Sequence, residues 1–205
     1  MHHRLSSTEG LGFSGTLIGN YFKILEFMFY KISLKEAFRI RRDIFKKEGN
    51  PALETIGFHK SPFKGIWFGF YPGHNLYEFE FCRITKTNNI EFLWVSILRE
   101  DRFIFVSFEA YHLSQNIDYK RLKNIDEFEF GRPINRVKNI ELLSQGKELQ
   151  LKRLFITKRF ANRFIKKFSI KVGLVFNNIE DRIEQWYQTH ELETIHPNSD
   201  VCFKL

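Results

Sequence analysis

Cysteine is scarce in this chain: its 205 residues hold two, Cys82 and Cys202. Two thiols make no disulfide framework, and no CxxC pair exists to bind zinc or exchange thiols. A reducing, cytoplasmic setting is therefore the expectation. Long uncharged apolar runs are missing too. The most apolar stretch, residues 16–32, is interrupted by Asn20, Lys23 and Glu26, and no run reaches the roughly 20 residues that span a bilayer. The first ten residues carry little positive charge and include Glu9, which argues against a secretory signal.

The familiar chemical motifs are also absent. The chain has no GxxxxGK[ST] phosphate loop, no GxSxG nucleophile turn and no HExxH pair. Gly10-Leu11-Gly12-Phe13-Ser14-Gly15 spells the dinucleotide fingerprint, but only nine residues precede it and no βαβ pattern follows. The mechanism needs both, so these glycines read as a flexible segment. His59, His74 and Cys82 are the one set of metal-ligand types that a hairpin would bring near one another. Their spacing fits no zinc pattern. Glu78 and Glu80 share one face of an expected strand. Alternating carboxylates opposite aromatics read as a solvent-facing edge rather than an acid–base pair. We assign no catalytic, cofactor or metal residue from the sequence. An enzyme without a recognisable motif stays open as an alternative.

One further scarcity is local. From Leu149 to Ile179 there is no acidic residue, while Lys152, Arg153, Lys158, Arg159, Arg163, Lys166, Lys167 and Lys171 are basic. The chain has 32 basic and 24 acidic residues, so these eight account for the whole net charge of +8. Phe160, Phe164 and Phe168 recur every fourth residue, with Ala161, Ile165 and Val172 beside them. At 100° per residue they form one face of an amphipathic helix, with Arg159, Arg163, Lys166 and Lys167 opposite. Residues 168–176 also alternate at period two, so a strand competes there. These four cations are the partner-binding candidates, toward a protein with an acidic surface or, alternatively, toward nucleic acid. A membrane surface is the weaker reading, because the phenylalanine stripe is needed for the core. The pattern leaves oligomeric state open.

Elsewhere the elements read in order. Residues 1–15 are Ser/Gly-rich and expected to be mobile, and residues 16–32 have helical spacing. Ser33-Leu34-Lys35-Glu36 is a capping box. It opens a helix whose stripe is Leu34, Ala37, Phe38, Ile44 and Phe45. Gly49 is expected to close it in the left-handed conformation, with Pro51 after it. Four β-rich runs follow at about 64–71, 75–85, 90–98 and 103–112, joined by short polar turns. The run at 90–98 is apolar on both faces and should be central. Phe128-Glu129-Phe130 is a possible fifth strand. A last helix would bury Ile179, Ile183, Trp186 and Tyr187, and the tail after Glu193 looks irregular. Trp67, Tyr71, Phe92, Trp94, Phe103 and Phe105 read as core rather than as a base-stacking platform, because no RNP-type signature accompanies them.

The expectation is an α+β fold, with N-terminal helices, an antiparallel meander of four or five strands and C-terminal helices. It is read as a single domain over 16–205, with a basic helical part at about 149–190. The span Leu34 to Leu113 resembles a family of bacterial helix-plus-meander domains. The resemblance rests on the amphipathic helix, the segment Leu53 to Phe58 with Ile56-Gly57-Phe58-His59-Lys60, and the aromatic meander. Some members of that family are thought to be polymorphic-toxin immunity proteins. The resemblance thus implies a non-enzymatic, protein-binding role, and it covers under half of the chain.

Overall fold

A computed structural model describes residues 29–64, 66, 68–117, 119–123, 130, 140–143 and 148–197. The dinucleotide-like glycines, the segment 1–15 expected to be mobile, most of the helix expected at 16–32, Trp67, Cys202 and Phe128-Glu129 lie outside the described residues.

The chain enters as strand β1 (Tyr30–Lys31), so the end of the expected 16–32 helix is extended instead. Its backbone pairs with β8 (Leu154–Phe155) in a two-stranded ribbon. The buried Ile32 next to it bonds the Arg153 carbonyl at 2.8 Å. Helix α1 (Leu34–Ile44) starts where the capping box places it: Ser33 Oγ accepts from the Glu36 amide at 3.1 Å. Its stripe buries Ala37, Phe38 and Ile44, but Leu34 is exposed.

Gly49 corrects the expected stop. Its φ of −79° is right-handed, and the helix widens into a π-helical turn (Phe45–Gly49) and continues as α2 (Asn50–Thr55). Pro51 falls in the first turn of α2, directly after the π-helical turn, where the regular α-helical hydrogen-bond ladder is already interrupted. The left-handed terminator is Gly57, at φ 89°.

The meander follows as β3 (Phe68–Tyr71), β4 (Leu76–Ile84), β5 (Asn89–Leu98) and β6 (Phe105–Leu113), each antiparallel to the next. The short β2 (His59–Lys60) also pairs with β4, and β7 (Ile140–Glu141) pairs with β6. The tail is more ordered than its composition suggests. β9 (Glu193–Ile195) runs parallel to β6, which makes the sheet mixed. Strand β5 is central and buried on both sides, as its two apolar faces require.

Alternation along the strands sorts the sheet into two cores. One face presents Phe79, Phe81, Leu93, Val95, Ile97, Val106 and Phe108 to the helices. The other presents Cys82, Ile90, Phe92, Trp94 and Tyr111 to Phe63, Leu122, Phe130 and Ile195. The aromatic strand residues Phe92 and Trp94 are thus core.

The helical layer is completed by α3 (Lys158–Asn177) and α4 (Ile179–Thr189). Helix wins over strand at 168–176, because Phe168, Val172 and Phe176 bury a four-residue repeat against the π-helical turn. Ile179, Ile183 and Trp186 of α4 are buried and Tyr187 is half-buried. The side chain of Asn178 donates to the Leu174 carbonyl of α3 at 2.9 Å and makes no cap for α4.

One buried charge ties α1 to the sheet. Arg41 is fully buried and donates to the carbonyls of Phe103 (2.6 Å), Leu98 (2.8 Å) and Ala37 (3.2 Å). Burial lowers its pKa to about 10, against the pull of Asp101. It remains a cation at neutral pH and holds the β5–β6 connection under the helix.

Candidate functional site

Helix α3 is oriented from both ends. At its start, Thr157 accepts from the Phe160 amide at 3.3 Å. Just before that, Phe155 of β8 packs on Phe164, with centroids 5.4 Å apart. Midway, Ser169 Oγ donates to Glu48 Oε1 of the π-helical turn at 2.9 Å. Ala161, Phe168, Val172, Gly173 and Phe176 face inward. The opposite side therefore has no freedom to turn away from solvent.

Arg159, Arg163, Lys166 and Lys167 are all exposed on that outer side, with Lys171 at its margin, and Lys158 in the first turn is exposed as well. None of them takes part in an ion pair among the described residues. The geometry brings the four together on one helix face, as their spacing requires.

The face also carries what the periodicity assigned elsewhere. Phe160 is 53% exposed, whereas the sequence reading put it in the buried stripe. In the first turn the inward arc is taken by Ala161 and Phe164, which leaves Phe160 at the edge. Ile170 and Leu174 are 57% and 58% exposed. With 3.6 residues per turn, Phe160, Arg163, Lys167, Ile170 and Leu174 fall within an arc of about 80° over about 21 Å. Their 3-4-3-4 spacing is a second seam, legible in the sequence but masked there by the stronger phenylalanine repeat. Arg163 Cζ lies 6.0 Å from the Phe160 ring centroid. Leu154 and Ile156, just ahead of the helix, are exposed as well.

The carboxylate pair is corrected. Glu80 is buried, not solvent-facing, and accepts from Trp94 Nε1 at 2.7 Å directly across the β4–β5 register. Glu78 is half-buried. The sheet face that carries them is covered by the second core, which the alternation along one strand cannot reveal. Glu109 is also buried on this face, and Tyr111 Oη donates to it.

A third buried carboxylate, Glu91, belongs to the opposite face. There Arg83 Nε donates to Glu91 Oε2 at 2.6 Å, and Tyr187 Oη to Glu91 Oε1 at 2.7 Å. Arg83 also grips both oxygens of Glu180 and the Ile56 carbonyl, over the ring of Phe58. Burial raises the Glu91 carboxyl above its ordinary range, with Arg83 and Tyr187 pulling the other way. Burial works against the charge on Arg83, but its bonds to Glu180 and Glu91 prevail and raise its pKa. The cluster joins β4, β5, α4 and the turn after α2, and every arm ends on another part of the protein.

Among the histidines, His59 stands opposite Cys82 in the β2–β4 register, but Cys82 is fully buried. His74 lies at the far hairpin turn, with its ring on Tyr71. Among the described residues, no group of three or more His, Cys, Asp or Glu side chains is placed to hold a metal ion. No described helix is long and apolar enough to cross a membrane.

These features define an α+β protein that presents a basic, partly apolar helix to its surroundings. No protein-family model matches the chain, and neither a curated protein nor a solved structure matches it.

Proposed function

We propose that this chain is a non-enzymatic protein-binding domain of the cytoplasm, and that α3 is its recognition element. The observation that carries this reading is the outer seam of α3, where Phe160, Ile170 and Leu174 alternate with Arg163 and Lys167. Cations alone serve phosphate backbones equally well. Phe160 alone would also serve base stacking, but the aliphatic Ile170 and Leu174 beside it add area that an apolar protein surface desolvates. The partner is accordingly a protein whose surface is acidic with apolar positions between the charges, met through steering by Arg159, Arg163, Lys166 and Lys167. The helix-plus-meander resemblance supports an immunity or antagonist role, in which that partner is a toxin domain.

The test is reconstitution with the purified product of a neighbouring gene, at low and moderate salt. Charge reversal by R159E and R163E, and separately F160S, should each abolish the complex without unfolding the domain. The competing reading is nucleic-acid binding by the same face. If random-sequence DNA or RNA binds with a steep salt dependence, and F160S leaves that binding unchanged, the protein-partner reading is lost.

A further inference from the structure

A cleft of about 540 Å³ opens between α1 and the β3–β4 hairpin, away from the outer seam of α3. This volume lies in the range of small-molecule sites. One wall is aromatic. Phe38 and Tyr77 have centroids 4.6 Å apart, and Phe70 lies 5.3 Å from Tyr77 and 6.3 Å from Phe38. Phe70 keeps 43% of its surface exposed there.

The remaining lining is cationic. Lys35, Arg39, Arg42 and Arg99 all reach the cleft, against a single carboxylate, Glu36. Arg42 is fixed: it donates to Tyr77 Oη and to Asp43 Oδ1, each at 2.7 Å, and its Cζ lies 5.1 Å from the Tyr77 ring centroid. Arg39 and Arg99 are exposed and take part in no ion pair among the described residues. Arg99 is nonetheless positioned by its backbone. Its amide bonds the carbonyl of Asn75, which takes the left-handed conformation (φ 51°) at the hairpin tip. Two exposed guanidinium groups thus line the same cleft as a partly exposed aromatic ring.

We infer that this cleft binds a nucleotide, with its base against Phe70 and Tyr77 and its phosphate on Arg39 and Arg99. Guanidinium groups match phosphate oxygens through paired N–H donors. Base–aromatic stacking supplies the second half of the affinity. Neither half alone accounts for a lining that is both aromatic and arginine-rich. The inference does not depend on the role of α3, because the two sites share no residue.

The experiment is calorimetric titration of the full chain with AMP, GMP, UMP and ATP, with adenosine and inorganic phosphate as the two half-ligands. Nucleotides should saturate below about 1 mM. Each half-ligand should bind at least about tenfold more weakly. R39E and R99E should each weaken nucleotide binding by about tenfold or more, and F70A by several-fold. R39E and R99E replace exposed side chains, so unchanged thermal melting will confirm intact folding of the two variants on which the test turns. R159E on α3 should leave nucleotide affinity unaltered. The inference is overturned if no nucleotide saturates, if inorganic phosphate binds as tightly as the nucleotides, or if R39E and R99E bind like the parent. An effect of R159E equal to that of R39E would also overturn it, since that would place the anion on α3.

Discussion

Arg163 lies over the ring of Phe160, one turn away on the outer face of α3, with its Cζ 6.0 Å from the ring centroid. The pair keeps an aromatic side chain in solvent beside a cation, whereas Phe168, two turns further along, is buried. The two phenylalanines should therefore respond oppositely to truncation. Phe160→Ala is expected to change stability by less than about 1 kcal/mol, the scale of an exposed cation–π contact. Phe168→Ala should cost about 3–5 kcal/mol through the cavity it leaves. Urea denaturation of both variants checks this. Equal losses would mean that Phe160 belongs to the core, and the outer seam would lose its leading residue.

Arg41 gives a second test, because its guanidinium is the partner of two backbone acceptors in the β5–β6 connection. Arg41→Met keeps much of the volume but leaves the Leu98 and Phe103 carbonyls without their donors. An unsatisfied buried polar group costs about 1–3 kcal/mol, so a loss of about 2–4 kcal/mol is expected in denaturant midpoints. Amide exchange over residues 98–104 should speed up more than in β4. A uniform change across the sheet would show that Arg41 acts through general packing alone.

These two residues also mark how far the sequence can be read. The capping box at Ser33, the meander, the central place of β5 and the inward face of α3 all follow from local spacing, which the structure keeps. Arg41 was invisible, because a charged residue inside an apolar stripe finds its acceptors some 60 positions away, at Leu98 and Phe103. Glu80 reads as solvent-facing because alternation along one strand cannot tell whether a second layer covers the polar side. Gly49 and Pro51 have the pattern of a helix stop, yet the π-helical turn carries the chain through both. The candidate cations lie where their periodicity puts them. The cleft lined by Arg39 and Arg99 was not legible, since it joins one helix to a hairpin and to the loop after β5.

Two carboxylates should show opposite pH behaviour. The Lys47 ammonium first, and then the Ser169 hydroxyl, hold the Glu48 carboxyl below its ordinary 4.5. Its contribution is thus present above that value and lost as pH falls through the folded-state pKa. Burial raises the Glu91 carboxyl above 4.5. The folded state then binds more protons than the unfolded one, and stability from this group declines as pH rises through the window above 4.5. Relative to parent, E48Q should lose its deficit, up to about 1 kcal/mol, as the solution is acidified. The parent's advantage over E91Q should instead shrink as pH rises from 4.5 toward neutrality. Urea midpoints of parent and both variants across the acidic range separate the two. The same slope for both variants would contradict the assignment.

Gly49 is required by close approach rather than by backbone conformation. Its right-handed φ suits alanine, which on propensity alone would gain about 1 kcal/mol in a helix interior. A Cβ there would lie 2.6 Å from Phe45 Cδ2 and 3.0 Å from Phe176 Cδ2. Both rings are fully buried and stand 5.3 Å apart, so neither has solvent to move into. Overpacking of this kind costs about 1–3 kcal/mol, which outweighs the propensity gain, and Gly49→Ala should be destabilising. The double variant with Phe45→Leu removes the nearer ring edge, so its loss should be smaller than the sum of the two single losses. Denaturation of the two singles and the double provides the cycle. A stabilised Gly49→Ala would show that the π-helical turn yields, and that the contact orienting α3 against α1 is looser than these distances require.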